Sequence, residues 1–282
     1  MTHPAASRGS GSDGAGDGDG GVQFATLAWR GRSLRLEYRW VGAAPSAQPP
    51  LVFLHEGLGS LAMWKDFPAQ LCAAAGLRGL VYSRPAYGRS TPRAAGENWA
   101  PDFMHQQAHE VLPALLQALH IDVTQRPPWL YGHSDGGSIA LLHAARHAAA
   151  GLVVVAPHLF VEDVSVASIR QARTAYTSGT LKAGLAKYHD EPDSAFYGWN
   201  DIWLSPAFRP WNIEADIAGI SSPLLAVQGV DDEYGTLAQI RHIPRAVPHA
   251  QLLEMPDCRH SPHRDQPQAL TAAVAAFVRQ HR

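Results

Sequence analysis

Lysine, cysteine and net charge are all low in this sequence. Only three of the 282 residues are lysines, and 23 basic residues nearly balance 25 acidic ones, which leaves a formal net charge of −2. Without a positive excess, the composition gives no electrostatic reason to expect nucleic acid or an anionic membrane surface as a partner. Charged residues make up 17% and hydrophobic residues 46%, which excludes a disordered protein and allows a sizeable core.

Two cysteines, Cys72 and Cys258, lie far apart in the chain and exclude both a disulfide framework and a cysteine-rich zinc module. This usage suits a reducing compartment. No apolar run approaches the length of a membrane span, and the N-terminus lacks the pattern of a signal peptide. We therefore expect a cytoplasmic protein. Residues 1–21 are rich in Gly, Ser and Asp and too polar to bury a core, so we expect a disordered leader there.

From residue 22 onward the sequence alternates between strand and helix patterns. Two alternating segments separated by a short turn predict a β-hairpin over 22–41. Short apolar runs then alternate with helical periodicity, which predicts a parallel sheet covered by helices on both faces. Further strands are expected at 51–54, 79–82, 129–131, 152–156, 223–227 and 251–255, and helices at about 62–75, 111–119, 139–145 and 267–280.

Residues 159–216 interrupt this alternation and are rich in aromatic residues. Eight of the 24 aromatics of the chain lie between Tyr176 and Trp211. An insertion of this size needs a core of its own, and concave binding sites are commonly lined by aromatic side chains. We therefore predict a helical cap over 159–216 that lines a substrate pocket, with Trp199 and Trp203 as candidate substrate-binding residues.

The motif Gly132-His133-Ser134-Asp135-Gly136 fits the pattern Gly-x-Ser-x-Gly, with a predicted strand before it and a predicted helix after it. The glycines are required because side chains at the flanking positions of a tight, strained turn would collide with neighbouring backbone. Ser134 then projects above the sheet as the predicted nucleophile. The N–H of Asp135 is the predicted oxyanion donor, and His133 beside them is a candidate substrate-binding residue.

This motif in its strand–helix setting resembles the α/β-hydrolase fold family, and the resemblance extends from residue 22 to the C-terminus. It implies a mostly parallel eight-stranded sheet flanked by helices, built from 22–158 and 217–282, with the helical cap as an insertion. It also implies a serine nucleophile, an acid and a histidine base in the chain order Ser…acid…His. The fold alone does not define a substrate.

The resemblance assigns the acid to the turn after the predicted strand 223–227. In the family a Gly-x-x-Asp motif commonly ends there, and the segment Gly-Val-Asp-Asp at 229–232 selects Asp232. Asp231 is the nearby competitor and Glu233 a more distant one. One of these acids is also expected to cap the following helix.

The histidine base is expected after the last strand. Relatives carry Gly-His there, followed a few residues later by an acid, Gln and Pro, and the Asp-Gln-Pro segment at 265–267 places His260 in the catalytic position. His263 is the alternative. Arg259 stands where relatives usually carry glycine, which leaves the choice between the two histidines to motif register.

Two charged residues depart from the family pattern near the predicted oxyanion hole. The segment 55–59 reads His-Glu-Gly-Leu-Gly where relatives carry His-Gly-x-x-Gly, and register assigns the second oxyanion donor to the N–H of Gly57. Glu56 replaces a glycine, and Arg84, after the next strand, stands where many relatives carry Asp. A free carboxylate would oppose a developing oxyanion, so we hypothesise that Glu56 and Arg84 pair close to the site, and we take both as candidate substrate-binding residues.

Metal and cofactor motifs are weak or missing. His105/His109 and His143/His147 have the i, i+4 spacing that can hold a metal on a helix, but no carboxylate or thiolate stands at ligand spacing, so we expect no metal. The sequence has no phosphate-binding loop of Walker type and no Gly-x-Gly-x-x-Gly after the first strand, so we expect no nucleotide or organic cofactor. The expected partner is a small-molecule substrate, and the sequence does not indicate an oligomeric state.

These observations predict a serine hydrolase that cleaves an ester or similarly activated carbonyl in a small, largely apolar substrate through an acyl-enzyme. Two alternatives stay open. One is a C–C bond hydrolase or lyase on the same triad, because the His-x-Gly-Leu-Gly-Ser loop resembles the loop of such relatives. The other is a ligand receptor of the same fold with slow turnover.

Overall fold

A computed structural model describes residues 20–42 and 48–282, so nearly all of the predicted leader lies outside the described residues. Within the described part of the chain, eight strands form one sheet. Their bounds are β1 Gln23–Trp29, β2 Arg32–Val41, β3 Leu51–Leu54, β4 Gly79–Tyr82, β5 Trp129–His133, β6 Gly151–Val155, β7 Leu224–Gly229 and β8 Gln251–Met255.

The spatial order of the strands is β1-β2-β4-β3-β5-β6-β7-β8. The predicted hairpin is present, since β1 pairs antiparallel with β2 and Trp29 lies opposite Arg32. β2 also pairs antiparallel with β4, and all the other neighbours run parallel. This arrangement confirms the predicted mostly parallel eight-stranded sheet.

Helices cover both faces of the sheet. A π-helical turn, Gln107–Val111, joins the second helix to the third. No helix among the described residues combines the length and the apolar character needed to cross a membrane. The α-helices are α1 Phe67–Ala75, α2 Phe103–Gln106, α3 Leu112–Ala118, α4 Asp135–Ala144, α5 Asp163–Thr177, α6 Thr180–Leu185, α7 Pro192–Trp203, α8 Ala238–Arg241, α9 Ile243–Ala246, α10 Pro262–Asp265 and α11 Pro267–Gln280.

Two apolar cores sandwich the sheet, and β3 shows how they are divided. Val52 and Leu54 belong to the core beneath α2–α4, whereas Leu51 and Phe53 belong to the core beneath α1 and α11. Successive side chains of a strand point to opposite faces, so a continuous apolar run serves both cores. The short all-apolar strands read from the sequence are therefore central strands that are buried on both sides.

The segment predicted as one helix over 62–75 divides into two. A 3-10 turn covers Leu61–Trp64, Lys65 takes a positive φ of 51°, and α1 begins only at Phe67. Pro68 explains the break, because a proline ring in a helix interior clashes with the carbonyl four residues earlier and donates no hydrogen bond. The helix therefore starts directly before the proline.

Between β6 and β7 the chain forms α5, α6 and α7, in the segment for which a cap is predicted. Its aromatics pack in two groups. Tyr176 stacks on Phe196 with 3.7 Å between the ring centroids. Phe208 packs against both Trp203 and Trp211, at centroid distances of 5.0 and 5.1 Å. These contacts give α5 and α7 a shared apolar interior, and they leave Trp199 and Trp203 beside the carboxyl edge of the sheet.

Candidate active site

Parallel strands bring the predicted site residues to one edge of the sheet. Glu56 and Gly57 follow β3, Ser134 follows β5, Asp232 follows β7 and His260 follows β8. The carboxyl ends of parallel strands meet at the same edge, where α/β proteins form their binding crevices. Residues scattered over about two hundred positions of sequence are thereby collected into one crevice.

The turn from β5 to α4 holds Ser134 in a strained conformation, with φ 53° and ψ −121°. Few non-glycine residues adopt a positive φ, and such residues concentrate at functional sites. A Cβ at Gly136 would collide with the carbonyl oxygen of Leu54, and one at Gly132 would collide with that of Gly136. The two glycines therefore let the turn pack tightly against β3, as the motif predicts.

Ser134, His260 and Asp232 lie in hydrogen-bond contact. His260 Nε2 is 3.0 Å from Ser134 Oγ, and His260 Nδ1 is 2.8 Å from Asp232 Oδ1. A carboxylate only accepts hydrogen bonds, so Nδ1 carries the proton and Nε2 presents its lone pair to the hydroxyl. This is the arrangement that makes a serine hydroxyl nucleophilic. The structure thus brings the three predicted catalytic residues together.

Asp232 is fixed by further donors, and its charge is coupled to His260. Its carboxylate accepts hydrogen bonds from Gln228 Nε2 at 3.0 Å and from the N–H of Tyr234 at 2.8 Å. Burial disfavours charge on both partners, yet the Asp232 carboxylate raises the pKa of His260 above 6.5, and His260 lowers the pKa of Asp232. The competing Asp231 is exposed and does not contact His260 through any described hydrogen bond.

Charged neighbours on both sides of the chain hold the backbone at His260. Arg259, the departure from the family pattern, lies with its guanidinium 3.2 Å from Glu233 Oε1, and its backbone N–H donates to Asp265. Glu233 Oε2 in turn accepts from the N–H of His260 at 3.2 Å. The alternative base, His263, is buried, and neither of its ring nitrogens has a partner among the described residues.

A cavity of about 210 Å³ opens at Ser134. The N–H groups of Gly57 and Asp135, both lining residues, make no hydrogen bond to any described residue, so both are free to donate to a bound oxyanion. Trp199 covers Gly57 so closely that a Cβ there would collide with the indole. Its apolar lining residues are Leu58, Met63, Ile169, Leu181, Leu185, Trp199 and Trp203.

The predicted pairing of the Glu56 carboxylate with Arg84 is wrong. Arg84 is fully buried, does not line the cavity, and donates to the backbone carbonyl of Glu56 at 3.0 Å. Its guanidinium faces Asp135, 4.0 Å away, so it is also misplaced as a substrate-binding residue. The Glu56 carboxylate turns the other way, toward His133 and Arg264. Opposite charges on neighbouring loops did not determine which way each side chain points.

Asp135 carries a buried carboxylate next to the nucleophile. Burial raises its pKa to about 6, against the opposing effects of Arg84 and of the Trp203 indole N–H, which donates to Asp135 Oδ1 at 3.2 Å. Trp203 of α7 is thereby tied to the turn that carries Ser134. Its ring also packs against His158.

The lining residues that the sequence reasoning missed include the polar side chains of His158, Tyr234 and Arg264. His158 is 3% exposed, and burial lowers its pKa to about 3, so its imidazole is neutral. It follows β6 at the same edge of the sheet as the other site residues, and that position was a usable signal. Tyr234 and Arg264 carry no such signal, because neither occupies a position to which a motif assigns a role.

The part of the chain that the structure describes contains no group of three or more His, Cys, Asp or Glu residues arranged to hold a metal ion. The helical pairs with i, i+4 spacing do contact one another. The rings of His143 and His147 stack at 4.6 Å, and the His109 and His147 rings are 5.8 Å apart.

The sequence matches the model of the alpha/beta hydrolase family over residues 51–274. This match spans most of the chain, and the fold and the strained serine turn agree with it. The chain therefore belongs to the alpha/beta hydrolase family.

Named relatives span several chemistries. The chain is 24% identical over 258 residues to the 2-succinyl-6-hydroxy-2,4-cyclohexadiene-1-carboxylate synthase of Enterobacter sp. (strain 638), covering 82% of this chain and 92% of that protein. The structure of this chain is similar to that of a thermophilic esterase from Thermogutta terrifontis, with a TM-score of 0.70 and 20% identity over 93% of this chain and 100% of that one. The enol-lactonase from Burkholderia xenovorans LB400 gives a TM-score of 0.69 and 22% identity over 91% and 100%. At these identities the structural likeness establishes the fold.

Proposed function

We propose that this protein is a serine hydrolase that cleaves an ester or a similarly activated carbonyl bond through an acyl-enzyme. The observation that carries the proposal is the contact of His260 Nε2 with Ser134 Oγ at 3.0 Å, with Asp232 on the opposite ring nitrogen at 2.8 Å. An isolated serine hydroxyl is a poor nucleophile, and this geometry supplies the base that it needs.

In the proposed first half-reaction, Ser134 Oγ attacks the substrate carbonyl carbon while His260 takes its proton. The negative charge on the carbonyl oxygen is held by the N–H groups of Gly57 and Asp135. Asp232 stabilises the imidazolium, and His260 then returns the proton to the leaving alcohol. In the second half-reaction water attacks the acyl carbonyl while His260 takes its proton; the bond to Ser134 Oγ then breaks, His260 returns the proton to Oγ, and the carboxylic acid leaves.

The cavity supports a small, largely apolar substrate. Its volume of about 210 Å³ is below the roughly 300 to 1,000 Å³ typical of pockets for drug-sized ligands, and seven of its lining residues are aliphatic, thioether or indole side chains. Polar groups converge at the reacting centre, where Ser134, His158 and His260 all line the same space. We therefore expect a short acyl group close to Ser134.

The test is labelling with a fluorophosphonate followed by a panel of neutral esters of graded acyl length. We expect stoichiometric labelling of Ser134, many turnovers per molecule, and a loss of kcat of roughly ten-thousand-fold in S134A. S178A is the matched control, because Ser178 is exposed and its hydroxyl donates only to the carbonyl of Ala175. A folded S134A that hydrolyses the panel at the wild-type rate would reject the proposal.

Lyase or C–C bond chemistry on the same residues is the second candidate. It is supported by the similarity to the carboxylate synthase, which extends over 82% of this chain. Vinylogous diketones assayed beside the esters discriminate the two candidates. Faster turnover of the diketones, or none of the esters, would favour this alternative, and a single covalent event per molecule would favour a slow receptor.

A further inference from the structure

His133 places one ring nitrogen against a backbone carbonyl and the other near the carboxylate of Glu56. His133 Nε2 lies 2.8 Å from the backbone carbonyl oxygen of His260. A carbonyl oxygen only accepts, so Nε2 carries a proton and donates it. The other ring nitrogen, Nδ1, is buried, has no hydrogen-bond partner, and lies 3.6 Å from Glu56 Oε2. A bare Nδ1 would direct its lone pair at a carboxylate oxygen in a buried space, which is repulsive.

The Glu56 side chain is held in this place by its surroundings. Its carboxylate folds back over Gly59, where a Cβ would collide with Oε2. Its side chain is only 18% exposed, and it lines the cavity that contains Ser134. An uncompensated negative charge here would oppose the developing oxyanion.

The other groups that face Glu56 do not supply the compensating proton. His55 donates Nδ1–H to the Glu56 carbonyl and accepts the N–H of Arg84 at Nε2, so its ring is neutral. His263 is buried against Trp64 and Phe67. The permanent cation Arg264 lies at a similar distance, with its Nη2 3.7 Å from Glu56 Oε1, but its side chain is half exposed, so solvent screens its charge.

We propose that Glu56 and His133 form a buried carboxylate–imidazolium pair, in which His133 carries a proton on both ring nitrogens. His133 is then a positioning residue: one N–H faces Glu56 and the other holds the carbonyl of His260. The pair does for the Glu56 charge what Arg84 was expected to do. Only the kinetic part of the following test rests on the proposed hydrolase function.

The direct test is two-bond ¹H–¹⁵N correlation of the histidine rings at about pH 7. We assign the His133 signals by their loss in H133Q. In the wild-type protein we expect both ring nitrogens of His133 at the shifts of a protonated imidazolium, and in E56Q one nitrogen at the shift of an unprotonated acceptor. A neutral His133 ring in the wild-type protein overturns the proposal, whatever the enzyme assays give.

The kinetic test compares a variant that removes the charge of His133 alone with a variant that removes the charges of both His133 and Glu56. In H133Q the Gln side chain can still donate to the His260 carbonyl but cannot carry charge, so Glu56 is left uncompensated. We expect kcat on a neutral ester to fall roughly tenfold and the acid limb of kcat/KM to move to higher pH, because a free carboxylate favours the protonated form of His260.

The double variant E56Q/H133Q removes both charges and should recover most of the lost kcat and return the acid limb to its wild-type position. A merely structural role for His133 predicts no recovery. A double variant as slow as H133Q therefore overturns the proposal, provided that thermal unfolding shows both variants to be folded. If the wild-type protein hydrolyses no ester, the serine-hydrolase proposal fails and the ring-nitrogen measurement still decides this one.

Discussion

At the residue scale, His260 and His263 differ in what their ring nitrogens contact, although they lie three positions apart. His260 bridges Ser134 and Asp232, whereas the His263 ring packs against Trp64 and Phe67 and has no hydrogen-bond partner among the described residues. A base must reach the proton that it removes. Only His260 meets that requirement.

Substituting the two histidines separately tests this assignment. We expect H260Q to lower kcat by at least roughly a thousandfold with little change in stability, because it removes the base. H263Q should lower the free energy of unfolding by about 1 to 3 kcal/mol, because it places an amide among aromatic rings, and change kcat by less than roughly threefold. Ester kinetics and urea unfolding of both variants provide the check. The reverse pattern would move the base to His263.

The pH dependence of the proposed reaction follows from the charge beside His260. The base works in its neutral form, and the Asp232 carboxylate raises the pKa of His260 above 6.5 despite burial. We therefore expect kcat/KM on a neutral ester to fall as the pH drops through a value above 6.5. Profiles from about pH 5 to about pH 9 measure it. D232N should lower kcat by roughly a thousandfold or more, because the amide permits the wrong tautomer. An acid limb well below 6.5 in the wild-type protein would contradict this coupling.

Sequence patterns located the reacting side chains better than the supporting charges. Ser134 and Asp232 sit in motifs whose glycines constrain the backbone, so position in the motif fixes position in space. Glu56 and Arg84 have long, flexible side chains, and the contacts that each makes depend on burial and on which hydrogen-bond partners lie within reach. Arg84 donates to a backbone carbonyl and faces Asp135, and the Glu56 carboxylate lies near His133.

At the element scale, the periodicity of the sequence predicted the strands and the last helix closely, because each buries a regular apolar pattern. The bounds of α11, Pro267–Gln280, are those expected, whereas the prediction of one continuous helix over 62–75 was wrong because of Pro68. The spacing of apolar residues does not reveal where a single proline interrupts a helix. The π-helical turn before α3 is a second irregularity that spacing does not predict.

The turn between β5 and α4 makes a prediction at this scale. A Cβ at Gly136 would meet the Leu54 carbonyl of β3, so G136A should destabilise the fold by about 2 to 4 kcal/mol and abolish ester turnover by displacing Ser134. The control is Gly184 inside α6, where a Cβ meets nothing within 4 Å. G184A should stabilise the protein by about 0.5 to 1 kcal/mol and leave turnover unchanged. Equal stability of the two variants would show that the turn tolerates a side chain.

At the scale of the whole molecule, the cavity exists because helices from between β6 and β7 lie over the carboxyl edge of the sheet. Trp203 bonds to Asp135, and Trp199 rests on Gly57, so each tryptophan of α7 contacts a predicted oxyanion donor. The sequence predicted aromatic cap residues near the substrate. It could not predict these contacts, because the distance between two layers depends on the packing of both.

Trp199 therefore sets the size of the space beside Ser134, and its removal tests that role. W199A uncovers Gly57 and enlarges the cavity, so we expect kcat/KM for the shortest esters to fall roughly tenfold while the preferred acyl chain becomes longer. W29A is the matched control, because Trp29 lies on the edge strand β1 and bonds to Glu110, away from the cavity. Ester profiles that keep the same optimal acyl length in W199A and wild type would show that another residue of the cavity lining limits the substrate.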